Sequence, residues 1–217
     1  MREGISVRFA TVRDYCQERH IDQRFVVAVP IVVLVLAGSV YAALLGNRLP
    51  FPDEQEYYAI ASNLVQHHRY SLDGVHPTAF RTPGYPWLLA VGLLLHFPIV
   101  LLRMMNFVAL GASAYLLHQV VRYAGFPLAA RIAPYLLLCY PVLFYTAGTL
   151  YPQTIGTTLL LLAMYLVLRD PASLRGIAYA GFAFGALILF IPSFLLKLPL
   201  LVAFILLVRT RRKRGGG

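Results

Sequence analysis

Between Pro50 and Pro86 the chain gathers the residue types that can do chemistry. Asp53, Glu54, Glu56 and Asp73 are four of its nine acidic residues, and His67, His68, His76 and Arg81 lie among them. Two adjacent carboxylates, Asp53 and Glu54, can orient or deprotonate a hydroxyl group. A guanidinium such as Arg81 can grip phosphate oxygens through parallel N–H donors and stabilise a phosphate as it leaves. His67, His68, Asp73 and His76 match no compact metal-ligand spacing, so they read as a solvated loop and no metal ligand is assigned.

The elements that must position these groups can be read from periodicity. Asp53 precedes a helical pattern and Glu56 lies three residues on, the spacing of a capping box with Asp53 as the cap. Tyr57, Ile60, Ala61, Leu64 and Val65 then form one apolar stripe, which predicts a short amphipathic helix over 54–66 lying along a membrane surface. His67, His68 and Arg69 end it. A second apolar stretch runs from Pro83-Gly84-Tyr85-Pro86 to His96-Phe97-Pro98. It offers about a dozen apolar residues where about 20 are needed to span, so 84–96 reads as a re-entrant or interfacial helix. Tyr57 and Tyr85 are candidate substrate contacts, set against the ordinary role of aromatics at a membrane interface.

The rest of the chain is apolar. Of 217 residues 59% are hydrophobic and 13% charged, with mean hydropathy +0.68. Soluble domains carry roughly twice that share of charge, so the fold class is an all-α polytopic membrane protein. The net charge of +10 does not indicate nucleic acid as a partner, because the basic residues are scattered at span ends. Cys16 and Cys139 give no disulfide framework. Residues 1–24 read as a cytoplasmic arm, 25–208 as the membrane domain and 209–217 as a basic cytoplasmic tail. The expected spans are Phe25–Gly46, Leu101–Val121, Ala130–Thr149, Thr154–Leu168 and the run Gly176–Val208. That last run is too long for one crossing and is divided at Pro192-Ser193. This gives about six transmembrane helices, with interfacial helices in the outer loop 47–100.

Charge placement supports that topology. Arg2, Arg8, Arg13, Arg19, Arg24, Arg122, Arg131, Arg169, Arg175 and the five basic residues of 209–214 fall on the inner side, 14 of the 19. Arg48, Arg69, Arg81, Arg103 and Lys197 remain outside. If 84–96 crossed, Arg122, Arg131, Arg169 and Arg175 would face outward, against the positive-inside rule.

Asp53-Glu54-x-x-Tyr57, then a helix, then Arg81-x-Pro83-Gly84-Tyr85-Pro86, placed straight after a first span, resembles the first outer loop of the GT-C membrane glycosyltransferases. The likeness is to the bacterial branch related to protein O-mannosyltransferases and the lipid A aminoarabinose transferase. The resemblance implies a transferase that takes a sugar from a polyprenyl-phosphate carrier on the outer face of a bacterial inner membrane. It gives Asp53 and Glu54 the acceptor-activating role and Arg81 the carrier phosphate, with Tyr57 and Tyr85 as substrate contacts. No cofactor is expected, although some members use a divalent metal. The sequence departs from the pattern at Gln153, where relatives carry a carboxylate, and at Ile191-Pro192, where they often carry Arg before Pro. Members are much longer, so the likeness implies an N-terminal half, with a second membrane chain as a candidate source of the remainder.

Two other readings stand beside this one. The chain could be a non-catalytic carrier-binding subunit of a split or degenerate enzyme, or a small multi-span flippase or transporter. A transporter should show ionisable groups in mid-span or inverted repeats, and the sequence shows neither.

Overall fold

The computed structural model describes residues 23–215, so the expected arm 1–24 lies almost wholly outside the described residues. Every regular element among them is helical. The helices are α1 (Gln23–Leu45), α2 (Pro52–His67), α3 (Gly84–Leu94), α4 (Ile99–Tyr123), α5 (Pro127–Leu138), α6 (Pro141–Ala147), α7 (Gln153–Arg169), α8 (Leu174–Phe190) and α9 (Leu198–Gly215). A 3-10 helix, Pro192–Lys197, joins α8 to α9.

Three segments among the described residues are long and apolar enough to cross a membrane: Val27–Leu45, Ile99–Tyr123 and Pro192–Thr210. This all-α architecture is that of a membrane protein. The expected single span Ala130–Thr149 is instead two helices, α5 and α6, bent by 60°. Pro141 is the cause: it has no N–H to offer the Leu137 carbonyl, so the helix must stop and restart. α7 and α8 have 17 residues each. At 1.5 Å per residue they reach about 26 Å, short of a ~30 Å hydrocarbon core. Six crossings therefore require the bent pair and both of these shorter helices. The hairpin divides at Ile191-Pro192, as the proline predicts. α9 then continues unbroken through Thr210 to Gly215, so the first part of the expected tail is helix.

α4 is the central helix, packed against α1, α5 and α7, and α7 in turn carries α8. Small residues allow the close approaches. A Cβ on Gly38 of α1 would stand 2.1 Å from the Phe107 ring of α4. Ala163, Ala180 and Ala183 are buried between α7 and α8. Lipid tails are as apolar as side chains, so such helices are held by tight packing and interhelical hydrogen bonds, not by escape from water. The bonds include Ser113 Oγ to Thr158 Oγ1 at 2.9 Å and Asn106 Nδ2 to the Thr149 carbonyl at 2.7 Å.

α2 and α3 pack on each other across one end of this bundle. Tyr57, Ile60 and Ala61 of the predicted stripe are buried, and Tyr57 and Ala61 join Tyr85 and Leu89 of α3 in one core. α3 runs from the end of α8 to the beginning of α4. A Cβ on Gly84 would meet the Leu189 backbone at 2.7 Å, and one on Gly92 would meet Leu102 at 2.4 Å. Both ends of α3 thus lie at the same end of the bundle, and it does not run alongside the long helices. The opposite end holds the pairs Arg122/Arg131 and Arg169/Arg175. There Tyr123 of α4 meets Tyr165 of α7 with centroids 5.8 Å apart, and His118 Nδ1 lies 2.8 Å from the Ala130 carbonyl of α5.

Gly84 touches backbone, which cannot swing aside. Gly84→Ala should therefore destabilise by about 1–3 kcal/mol through overpacking. Gly181→Ala in α8, with nothing within 4 Å of its new methyl, should leave stability unchanged or slightly raised, because Ala is the better helix former. Thermal unfolding of the two variants in detergent, compared with wild type, checks the pair.

Candidate functional site

The site is built from the start of α2. Phe51 is the N-cap, with φ −104° and ψ 140°, and Pro52 opens the helix. Proline suits that first position because its missing N–H has no intrahelical partner to lose. The expected box with Asp53 as cap and Glu56 reaching back is thus displaced by two residues. Glu54 is the group that reaches back, accepting the Phe51 N–H at 3.3 Å. Phe51 has no side-chain acceptor, so only half of the box forms. The shift leaves Asp53 and Glu56, three residues apart and so on one face of α2, free to point elsewhere.

They point at Arg81. Its Nη2 donates to Asp53 Oδ1 at 2.6 Å, and its Nε donates to Glu56 Oε2 at 2.8 Å, with a further close contact from Nη2 to the same Glu56 oxygen. The guanidinium also stands 5.0 Å from the ring centroids of Tyr57 and Phe80. Partial burial would lower the Arg81 pKa, but the hydrogen bonds to Glu56 and Asp53 outweigh it and hold the group firmly protonated. Two tethers fix the loop on either side. Tyr70 donates its hydroxyl to the Arg81 carbonyl at 2.9 Å, and Thr82 Oγ1 donates to the Phe190 carbonyl at 3.1 Å. Burial raises the Tyr70 hydroxyl to about 12, which keeps it a donor. The Asp53 side chain is 50% exposed, against 20% for Arg81. The carboxylate is therefore reachable from solvent while its partner is mostly sheltered.

Glu54 does not share this surface. It is fully buried and faces inward, accepting the Leu150 N–H at 2.8 Å and lying 3.4 Å from Arg103 Nη2. The expectation that it acts beside Asp53 meets a physical obstacle: no substrate reaches a carboxylate enclosed by α2, α4 and the turn before α7. Arg103, also fully buried, donates to the carbonyls of Gly46 and Arg48. It was legible only as one of the outer basic residues. The missed signal is an Arg flanked by Leu101, Leu102, Met104 and Met105 at the start of a span, a place where a charge must find a partner.

Tyr57 and Tyr85 are packing residues first. Tyr85 is fully buried, receives a hydrogen bond from Asn106 Nδ2 at 3.1 Å and meets Tyr57 edge-on with centroids 5.3 Å apart. Burial pushes both hydroxyls up in pKa. Tyr85 is thus out of a substrate's reach, while Tyr57 bears on the site through its ring on Arg81. Tyr151 also borders it: burial first, and then the nearby Asp53 and Glu54 carboxylates, raise its pKa. Gln153 is exposed at the start of α7.

Among the described residues no group of three His, Cys, Asp or Glu side chains could hold a metal ion. Towards the end of α2 that lies away from Asp53, α2 and α3 frame a groove of about 290 Å³, lined by Leu64, Val65 and His68 on one side and by Trp87, Ala90, Val91 and Leu94 on the other. Compared with family models, with curated proteins and with solved structures, the chain matches none.

The loop beyond α2 is knotted by Asp73. Its Oδ1 accepts from Ser71 Oγ and from the Val75 and His76 amides, and its Oδ2 lies 2.7 Å from His76 Nδ1. The His76 ring, then the two amides and Ser71, hold the Asp73 carboxyl well below the ordinary 3.8. A depressed carboxylate pKa contributes order above the unfolded pKa, and that order is lost as pH falls through the folded one. The amide resonances of Val75 and His76 should therefore stay fixed as pH passes 3.8 and move only below it; a midpoint near 3.8 in an NMR titration would contradict this. For the buried pair, Arg103→Met should cost about 3–5 kcal/mol, since it strands Glu54 and two carbonyls in a dry place. Exposed Arg48→Met should cost under about 0.5 kcal/mol by the same unfolding assay.

Proposed function

We propose that this chain belongs to the machinery of a membrane glycosyltransferase of the GT-C type. In this reading it handles a sugar carried on a polyprenyl phosphate at the outer face of a bacterial inner membrane. The observation that carries the reading is the half-exposed Asp53 carboxylate held on one oxygen by Arg81, at the end of an apolar bundle. Asp53 Oδ2 makes no hydrogen bond among the described residues. It can take the proton of an acceptor hydroxyl as the acceptor oxygen bonds to the sugar's C1 and the C1–O bond to phosphate breaks. The bonding electrons leave with the phosphate. Arg81 engages Asp53 and Glu56 through Nε and Nη2 and also meets the Tyr57 hydroxyl. Nη1 makes none of the carboxylate contacts, so a phosphate oxygen can compete for its N–H groups. The apolar groove between α2 and α3, whose near wall at Leu64 is roughly 17 Å along α2 from Asp53, is a place for prenyl units of the carrier. The arginines at the opposite end support an outward-facing site by the positive-inside rule.

One observation favours a second reading, a carrier-binding subunit without catalysis of its own. Both carboxylates of the site already neutralise Arg81, and the nearby outer turn offers Gln153 where a further carboxylate would help. Such a subunit would work with a second membrane chain.

Proteoliposomes loaded with a polyprenyl-phosphate sugar and a hydroxyl acceptor separate these. Catalysis predicts that Asp53→Asn lowers transfer by about 10²-fold or more, while Arg81→Lys, which keeps the charge but loses the fork, weakens carrier binding. No transfer by wild type, together with carrier binding that Arg81→Lys weakens, supports the subunit. Transfer that survives Asp53→Asn undiminished sinks the catalytic role, and absence of both transfer and carrier binding sinks both readings.

A further inference from the structure

The Asp53–Arg81 site leaves one built cavity unexplained. α7, α8, the 3-10 helix and α9 enclose about 400 Å³ lined by Leu160, Met164, Phe184, Phe194 and Phe204, with Lys197 at the mouth. None of the residues of the Asp53–Arg81 site lines it. Its walls are apolar along their length. Met164 lies about 17 Å along α7 from the helix start, close to the ~15 Å depth of one leaflet's hydrocarbon.

Two features say what fills it. Only 6% of the segment Pro192–Thr210 is buried, so the α9 wall of the cavity opens to the surroundings of an apolar bundle. Lys197 forms no ion pair among the described residues. Its ammonium sits 4.0 Å over the Phe194 ring, held at the cavity mouth by a cation–π contact. An unmatched cation above an apolar slot of leaflet depth complements an anionic head on a hydrocarbon chain.

We propose that this cavity seats one chain of an anionic glycerophospholipid of the bilayer, with the lipid phosphate on Lys197. The bound lipid closes the gap between α9 and the α7–α8 pair, which otherwise meet over a small area, and so fixes the hairpin at Pro192. A bilayer lysine near anionic lipid gains roughly a fivefold preference. The slot adds a stoichiometry of one and a dependence on groove shape that snorkelling alone does not produce. This site is independent of the sugar-carrier reading.

Native mass spectrometry of the full chain in detergent, titrated with dioleoylphosphatidylglycerol or dioleoylphosphatidylcholine, tests it. Wild type should saturate with one phosphatidylglycerol at a concentration roughly fivefold below that for phosphatidylcholine. Lys197→Gln should erase that preference and Lys197→Arg should keep it. Leu200→Trp, at an exposed groove-lining position, should weaken both lipids. Asp53→Asn and Arg81→Lys should change neither, which separates failure here from failure of the transferase reading. Equal binding of the two lipids to wild type, a preference that survives Lys197→Gln, or lipid-free oligomers in which protein covers α9 would each overturn the proposal.

Discussion

A buried ion pair joins the loop unit to the bundle. Glu54 and Arg103 are both fully buried, and between them they engage four separate pieces of chain. Glu54 takes the amides of Phe51 and Leu150, and Arg103 takes the carbonyls that follow α1. A buried pair of this kind is weak evidence of net stability, because desolvation cancels most of the attraction. Its effect is specification. Either charge alone would be costly in a dry place, so the end of α1, the start of α2, the start of α4 and the turn before α7 must meet in one arrangement. Arg103 Nε, buried without a partner, is the residual penalty of that arrangement.

That constraint explains why the neighbouring site can be exposed and still ordered. With Glu54 drawn inward, helix periodicity puts Asp53 and Glu56 on the other face, towards the loop that brings Arg81 back from the far end of α2. Tyr70 and Thr82 clamp that loop, and Tyr57 and Phe80 limit where the guanidinium can go. The result is a carboxylate with one oxygen fixed and one free, at the junction of apolar and polar surroundings. A group held this way has already lost its side-chain entropy, which is the usual requirement for positioned chemistry.

The two ends of the bundle differ in how their charges are used. At the capped end Arg81 and Arg103 are paired with acids and carbonyls, while Arg48, Arg69 and Lys197 have no acid partner among the described residues. At the opposite end Arg122 and Arg169 stand in the last turns of α4 and α7, where cations suit the helix dipole. Arg131 and Arg175 stand in the first turns of α5 and α8, so that the polar headgroup layer, not the dipole, accounts for them. The asymmetry gives the molecule a direction across a membrane, and the candidate site and the proposed lipid slot both lie at the end with fewer free cations.

Much of the fold was legible because it rests on local rules. Hydropathy gave the apolar segments, the stripe from Tyr57 to Val65 gave α2 and its buried face, and a length too short to span set α3 apart. Proline gave the break at Ile191-Pro192; the same rule at Pro141 was overlooked, and a straight span was expected where α5 and α6 bend. The pairing of Asp53 with Arg81, 28 residues apart, was suggested by residue types. Which acid does what was not legible. Asp53, Glu54 and Glu56 look alike in sequence, and only the register set by Pro52 at the helix start, together with an arginine 49 residues away in another helix, sends Glu54 inward and leaves Asp53 and Glu56 to Arg81. Local propensity determines that a helix forms here. Which face of it is buried against a charge depends on partners distant in sequence, and that was decided by tertiary packing.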